Sequence, residues 1–547
     1  VDFQFSKLTD WLRRHAETLC RLAAYTSSVL VAAPTLYHLA KGSPAHLGFF
    51  EDDYFYYAII ADNLAIDGRP TFDGTTLTNG VHPLWFVVIA LLRIVFGRFG
   101  TAFYVALTAL SVIAMIVTYE LGRRLARELG ASSELAAAIP VVYSVATARL
   151  LTTGMECVIA VPLFLWLLVE SARPIPVTHT RAARLGFIAS LAILARLDLA
   201  IAVALLLVGF VALVRPGLAA LTRLALAFGA GGVLVPLYLV ANYVFFGAPM
   251  PVSAMAKRLY TGFGFNFKYA SIAALGTMYG PSMAVVLPMG LIALVLLVAK
   301  DSRWRPAARL AGAVALVFTF VFLGLNALSG WTFFGWYAYP FAVTTTVALV
   351  FISQWLLSLV RLQTVGVAIA AVLVALQPLF ALRHYVRHGP QWTIHDNTLL
   401  AMTYELGDRM LDRDGLIAMG AIAGYVTYMI DRPVLQLEAV VSDPGMLEHL
   451  RREDPLEEVL RKYNADYLVV SLASERSQPD DGCYVVTQPH AEWAGERSAK
   501  MRGRICSEPI EHFFTERGPH PWSRFPALET LVWDLRSARW DTSTESN

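Results

Sequence analysis

Residues 50–85, FEDDYFYYAIIADNLAIDGRPTFDGTTLTNGVHPLW, place three carboxylates, an aromatic run and a proline-started apolar helix in sequence. The preceding residues 22–40 form an apolar run long enough to span a bilayer, so Glu51, Asp52 and Asp53 follow where the chain leaves the lipid. Tyr54, Phe55, Tyr56 and Tyr57 are the aromatics favoured at a membrane–water boundary. Carboxylates crowded at such a rim repel one another and lose hydration, so at least one should hold its proton to higher pH, as a general base or a cation site requires. The same triplet also reads as a solvated acidic turn before an amphipathic helix. Asn79-Gly80 signals a turn and Pro83 suits a first helical position. His82 then stands at a helix mouth, as a phosphate contact, a proton carrier or a cap.

The chain around this segment has 547 residues, 56% apolar and 16% charged, with a mean hydropathy of +0.53. That is too apolar for a soluble globular protein and indicates a polytopic membrane protein. With 44 Lys+Arg against 42 Asp+Glu the net charge is +2, and no basic excess points to nucleic acid. Of the four cysteines, Cys20, Cys157, Cys483 and Cys506, only the last two lie in a polar stretch; whether they pair is left open. The polar, basic stretch before residue 22 is longer than a signal peptide's n-region, so residues 22–40 are read as a retained span.

Further apolar runs lie near 101–121, 133–148, 156–171, 224–244, 282–299, 308–328, 338–358 and 363–382, with two shorter helices in 184–214 meeting at Arg196 and Asp198. The length rule makes about eleven spans. If the Pro83 helix lies along the membrane without crossing, every Arg/Lys cluster between spans falls on the cytoplasmic side, as the positive-inside rule requires. The loop 41–99, the turn 149–155, the Arg196/Asp198 tip, the segment 246–281, the turn 329–337 and all that follows residue 384 then face outward. The expected organisation is mostly α: a membrane domain over 1–383 with interfacial helices in 41–99, and a small α/β domain over 384–547.

Several outward residues carry chemistry. Glu156 opens a span, as a helix-dipole partner or part of a membrane-edge site. Arg196 and Asp198 interrupt an apolar stretch, either as functional groups or as an ion pair at the joint. Lys257 and Arg258 sit outward against the local charge rule and suit a lipid-linked phosphate or headgroup anchoring. Trp336 and Tyr337, with Tyr339, offer sugar-stacking or donor groups, or an interfacial belt.

The segments DDYFYYAIIADNLA, TNGVHPLW and ELGRRLAREL together resemble the integral-membrane GT-C glycosyltransferases, whose donors are polyprenyl-phosphate sugars. The layout is similar to that of lipid A aminoarabinose transferases and mycobacterial arabinofuranosyltransferases, and the resemblance covers about residues 50–340. It implies Asp52 as the base that deprotonates the acceptor and Asp53 as its assistant, by hydrogen bonding or cation binding. Lys257 and Arg258 become leaving-phosphate ligands, with His82 and Glu156 as acceptor or phosphate contacts and Arg196, Asp198, Trp336 and Tyr337 as further substrate contacts. The implied partners are a polyprenyl-phosphate donor, an envelope glycan, lipid or protein acceptor and membrane lipids, at the outer, periplasmic face of a bacterial inner membrane. No cofactor is implied with certainty, and a divalent cation is left open. His82-Pro83 departs from the aminoarabinose transferases, which tend to have Lys before paired prolines, so the sugar need not be aminoarabinose. An oligosaccharyltransferase acting on protein Asn is disfavoured because no W-W-D-like motif stands in the soluble domain. A transporter or lipid-linked sugar flippase is the competing class, which the lack of an internal repeat weakens; a non-catalytic polymer-binding relative is the third.

Overall fold

The computed structural model describes residues 2–174, 177–259, 283–299, 304–328, 334–359, 363–390, 392–472, 481–490, 498–516 and 527–541. Most of the expected outward segment 246–281, the turn 329–333, and Lys300 and Arg303 lie outside these ranges.

The chain opens with a 39-residue helix, α1 (Asp2–Ala40), and the first loop follows as a short 3-10 turn and two helices, α2 (Asp52–Asp67) and α3 (Pro83–Phe96). Next come α4 (Thr101–Glu128), α5 (Ser133–Val142), α6 (Ser144–Leu150), α7 (Cys157–Ala172), α8 (His179–Ala195), α9 (Leu199–Val214), α10 (Leu218–Gly231), α11 (Leu234–Phe246) and α12 (Val252–Leu259). The bundle closes with α13 (Met283–Val298), α14 (Pro306–Ala327), α15 (Tyr339–Leu359) and α16 (Gln363–His388).

By length and apolarity, four described helices are fit to cross a bilayer: Arg14–Ala40 of α1, α4, α14 and Gly335–Leu357. A fifth span is formed if the bent pair α10 and α11 counts as one. Eleven is therefore not reached on this criterion, and two expected spans differ. The run 133–148 breaks at Tyr143 into α5 and α6, with Pro140 inside α5. The run 224–244 becomes part of α10 and α11, bent by 56°, where Gly231-Gly232 gives the chain its freedom. Close packing is the reason for Gly231: a Cβ there would lie 1.9 Å from the Ala183 carbonyl oxygen, and one at Gly186 would lie 2.0 Å from that of Phe228. Small residues let α8 and α10 touch backbone to backbone, as membrane helices do. The joint between α8 and α9 at Arg196–Asp198 is as expected.

Basic residues from three of these loops meet around Glu17 and Glu128. Arg123 and Arg127 reach Glu17 at 2.9 and 2.8 Å, Arg305 reaches Glu128 at 2.7 Å, and Arg181 lies within electrostatic reach of Glu128.

Beyond α16 the chain forms an α/β body. Its sheet has the order β2 (Val434–Gln436), β1 (Ile417–Met419), β3 (Tyr467–Leu472), β7 (Ala527–Asp534), β6 (Glu511–Glu516). The first three strands run parallel and β7 and β6 pair antiparallel. Helices α17 (Thr398–Arg409), α18 (Ala423–Ile430), α19 (Pro444–Arg452) and α20 (Leu456–Lys462) cover it, as parallel strands require crossovers. A second pair, β4 (Tyr484–Gln488) and β5 (Met501–Ile505), is closed by a disulfide between Cys483 and Cys506.

This body is seated on the first loop. Tyr104 donates to the Tyr428 hydroxyl at 2.7 Å, the Asn397 amide donates to the Gly48 carbonyl at 3.1 Å, and Arg98 bridges Asp62 and Asp431 at 3.1 and 2.5 Å. One continuous apolar core runs from the bundle through the first loop into the sheet.

Candidate active site

The run Asp52–Asp67 forms α2 because Glu51 takes an extended N-cap conformation, two acids follow in the first turn, and Gly68 ends the helix in the left-handed region. Tyr54 to Tyr57 are buried, so the aromatic run anchors the helix in protein. The Glu51 N–H donates to the Thr153 carbonyl at 3.1 Å and the Trp85 indole to the Gly154 carbonyl at 2.9 Å. These two bonds bring the first loop to the turn 149–155. Gly154 has φ +77°, and a Cβ there would meet the Tyr54 ring at 2.7 Å, so only glycine allows this approach.

Asp52 meets the C-terminal body. Its Oδ1 accepts the Tyr425 N–H at 2.7 Å, and its carboxylate also takes hydrogen bonds from the Gly424 backbone and the Tyr56 hydroxyl. Tyr425 lies in the first turn of α18, whose N–H groups lack partners within the helix and attract an anion. Since α18 follows β1 and Glu438 follows β2, Asp52 and Glu438 both stand beyond the carboxyl ends of the parallel strands, where open α/β sheets bind ligands. Glu438 is buried, its Oε2 accepts from the Gln436 amide at 3.2 Å, and its charge couples to Asp53 and Asp52. Burial pushes the Asp52 carboxyl up to about 6, with the hydrogen bonds opposing. Burial likewise raises Asp53 to about 7, Lys257 opposing and Asp52, Glu156 and Glu51 adding, and Glu438 to about 8, with Asp53 and Asp52 adding.

On the other side of Asp53 the outward residues converge. The Asn79 side chain accepts the Val252 N–H at 2.9 Å, so the Asn-Gly turn caps α12 and aims its Lys257. Lys257 Nζ donates to the Tyr337 hydroxyl at 3.0 Å. Arg196 is held by Glu156 at 2.5 Å and Asp198 at 2.9 Å, and lies 4.4 Å from the Tyr339 ring centroid and 5.6 Å from that of Tyr337. The Tyr339 hydroxyl donates to Asp198 at 2.9 Å and the Tyr57 hydroxyl to Glu156 at 3.4 Å. His82 Nε2 lies 3.8 Å from Glu156, and burial lowers the imidazole's pKa to about 4, leaving it neutral at pH 7.

The structure thus brings Asp52, Asp53, His82, Glu156, Arg196, Asp198, Lys257 and Tyr337 together from six separated stretches. Arg258 is exposed, because its neighbour Lys257 faces inward and successive helical residues diverge by about 100°. Trp336 is buried and stacked on Phe334 at 4.7 Å, while its carbonyl accepts from Cys157 Sγ at 3.3 Å, so the ring packs within the protein. Glu438 and the Gly424–Tyr425 backbone are new members. In the sequence, Glu438 shows only as an acid two residues after Gln436 in the mostly apolar run VLQLEAVV.

No family model and no curated protein matches the chain. Among solved structures it is similar to the Archaeoglobus fulgidus oligosaccharyltransferase in the apo form, with 13% identity, TM-score 0.48 and coverage of 84% of this chain and 70% of that one. It is also similar to AglB from the same organism in complex with an inhibitory peptide and a dolichol-phosphate, with 13% identity, TM-score 0.49 and the same coverage. ArnT from Cupriavidus metallidurans bound to undecaprenyl phosphate is similar at 11% identity and TM-score 0.48, over 89% of this chain and 96% of that one.

Proposed function

We propose that the chain is a membrane glycosyltransferase that moves a sugar from a polyprenyl-phosphate donor to an acceptor hydroxyl of a cell-envelope glycan, lipid or protein. The observation that carries this reading is the division of one cluster, buried at Glu438 and Tyr337 and half-buried at Asp52, Asp53 and Lys257, into an acidic side, Asp52, Asp53 and Glu438, and a cationic side, Lys257 with the Tyr337 hydroxyl. Such a division suits displacement at an anomeric carbon. Asp52, held in place by the Tyr425 N–H, takes the acceptor proton; the acceptor atom bonds to the anomeric carbon as the sugar–phosphate bond breaks. The departing phosphate's charge falls to Lys257 and Tyr337, whose placement before the reaction is what makes such stabilisation effective. Asp53 stands between the two sides, its charge coupled to Lys257 on one and to Asp52 on the other. Arg196 is already engaged by Glu156 and Asp198, so its work is to hold the Tyr337 and Tyr339 rings in place.

The Cys483–Cys506 disulfide supports an oxidising compartment for the C-terminal body, hence an outward, periplasmic face for the site it covers. The separation of the basic loops from the acidic cluster supports the same orientation. Purified full-length protein is to be incubated with a panel of polyprenyl-phosphate sugars and envelope extract, following released polyprenyl phosphate. Release with one donor that is lost in Asp52→Asn supports the reading. Folded wild type that releases nothing from any donor would shift it to the transport class.

A further inference from the structure

A cavity of about 380 Å³ opens between α6 and the last turns of α16. Its lining includes Arg149, Arg383, His384, Arg387 and His388 and, as described, no Asp or Glu. The four α16 residues are spaced i, i+1, i+4 and i+5 and so share one helix face. Arg149 ends α6 across from them and lies within electrostatic reach of Arg387. The walls are tied together: within the lining Gln377 donates to the Val142 carbonyl at 3.0 Å, and His38 Nε2 lies 3.1 Å from the His388 carbonyl. His384 and His388 lie 4.4 Å apart, ring to ring.

Like charges brought together on a fixed scaffold attract an anion, and several arginines favour the flat, multidentate oxygens of phosphate. The surroundings favour a phosphate that arrives on a lipid. Leu379, Phe380, Leu382 and Val386 are exposed along the same turns of α16, a strip of apolar surface running beside the basic mouth, so a headgroup held there leaves its chains on apolar surface. We propose that this cavity binds the phosphate headgroup of an anionic membrane lipid whose chains lie along the exposed apolar strip of α16. The site is separate from the acidic cluster and does not depend on the transferase reading.

The test uses full-length protein, delipidated in detergent, with dioleoylphosphatidylglycerol as probe and native mass spectrometry as readout. Dioleoylphosphatidylcholine has the same chains without net charge, and inorganic phosphate has the anion without chains. Wild type is expected to retain phosphatidylglycerol over phosphatidylcholine, and inorganic phosphate at equal concentration should leave the lipid bound. Arg383 and Arg387 are exposed, so Arg383→Gln/Arg387→Gln should fold, and it should bind phosphatidylglycerol at least about tenfold more weakly, the size expected for lost charged hydrogen bonds. Arg387→Lys alone should keep most of the affinity. Equal binding by wild type and the double variant, with matching elution and melting, overturns the site. Displacement of the lipid by equimolar inorganic phosphate overturns the lipid as occupant.

Discussion

Asp52 and Lys257 mark the two poles of the cluster, and each predicts a distinct loss. Asn at position 52 keeps an oxygen to accept the Tyr425 N–H, so Asp52→Asn should fold and melt as wild type while turnover falls by about 10²-fold or more, the contribution of a lost general base. Release of polyprenyl phosphate and a melting curve on the same sample check both parts. Because Asp52 is raised to about 6 and only its ionised form accepts a proton, kcat/KM should fall about tenfold per pH unit below that value; a flat profile between pH 5 and 7 would exclude it as the base. Lys257→Ala removes a charged donor to Tyr337 and should weaken binding of polyprenyl phosphate by about 1.5–3 kcal/mol, read by competition against a labelled donor. These two residues were legible in the sequence because a charge beside an apolar run is costly and therefore informative. Trp336 and Arg258 were equally conspicuous by type, but the orientation that buries one ring and exposes the other side chain belongs to the packing.

Helices and strands show where local chemistry is enough and where it is not. The breaks at Arg196–Asp198 and before Pro83 follow from charge and proline in otherwise apolar runs. The bend between α10 and α11 is different: it depends on the contact of Gly186 and Gly231 with the backbone of the opposing helix, which no local pattern displays. Gly231→Val should push α8 and α10 apart and cost about 1–3 kcal/mol or more, seen as a lower melting temperature in detergent. In the C-terminal body, the disulfide spans 23 residues; Cys483→Ser/Cys506→Ser should lose about 3 kcal/mol from that region, measured as increased proteolysis of the full chain at the β4–β5 pair.

Assembly of the bundle, the first loop and the C-terminal body creates the site. Gly424 lets the two bodies meet: a Cβ there would lie 2.3 Å from the Asp52 carbonyl oxygen and 2.9 Å from its Oδ1. Gly80 makes a similar approach to the Val440 carbonyl. Gly424→Val should therefore reduce turnover strongly while leaving the helical content of the bundle intact, checked by release assay and circular dichroism. Glu438 contributes a stability effect of opposite sign. Its folded pKa of about 8 exceeds the ordinary 4.5, so between these values the unfolded chain has given up a proton that the folded chain keeps, and stability falls as pH rises through that window. Glu438→Gln removes this dependence and should raise the melting temperature at pH 8 while changing it little at pH 4.5. A melting temperature lowered at pH 8 would contradict the burial of this acid beside Asp52 and Asp53.

Hydropathy and charge alone made the chain a membrane protein and singled out most of the acids, bases and aromatics of the cluster, because the cost of charge and exposed backbone in lipid is read residue by residue. The motifs of the first loop carried the resemblance to a transferase class. Which of those groups meet, the recruitment of Glu438 and the α18 backbone to Asp52, and the breaks that divide expected spans were set by the folded structure. These depend on contacts between residues such as Asp52 and Tyr425, far apart in the chain, whose geometry is fixed only when helices and sheet pack together.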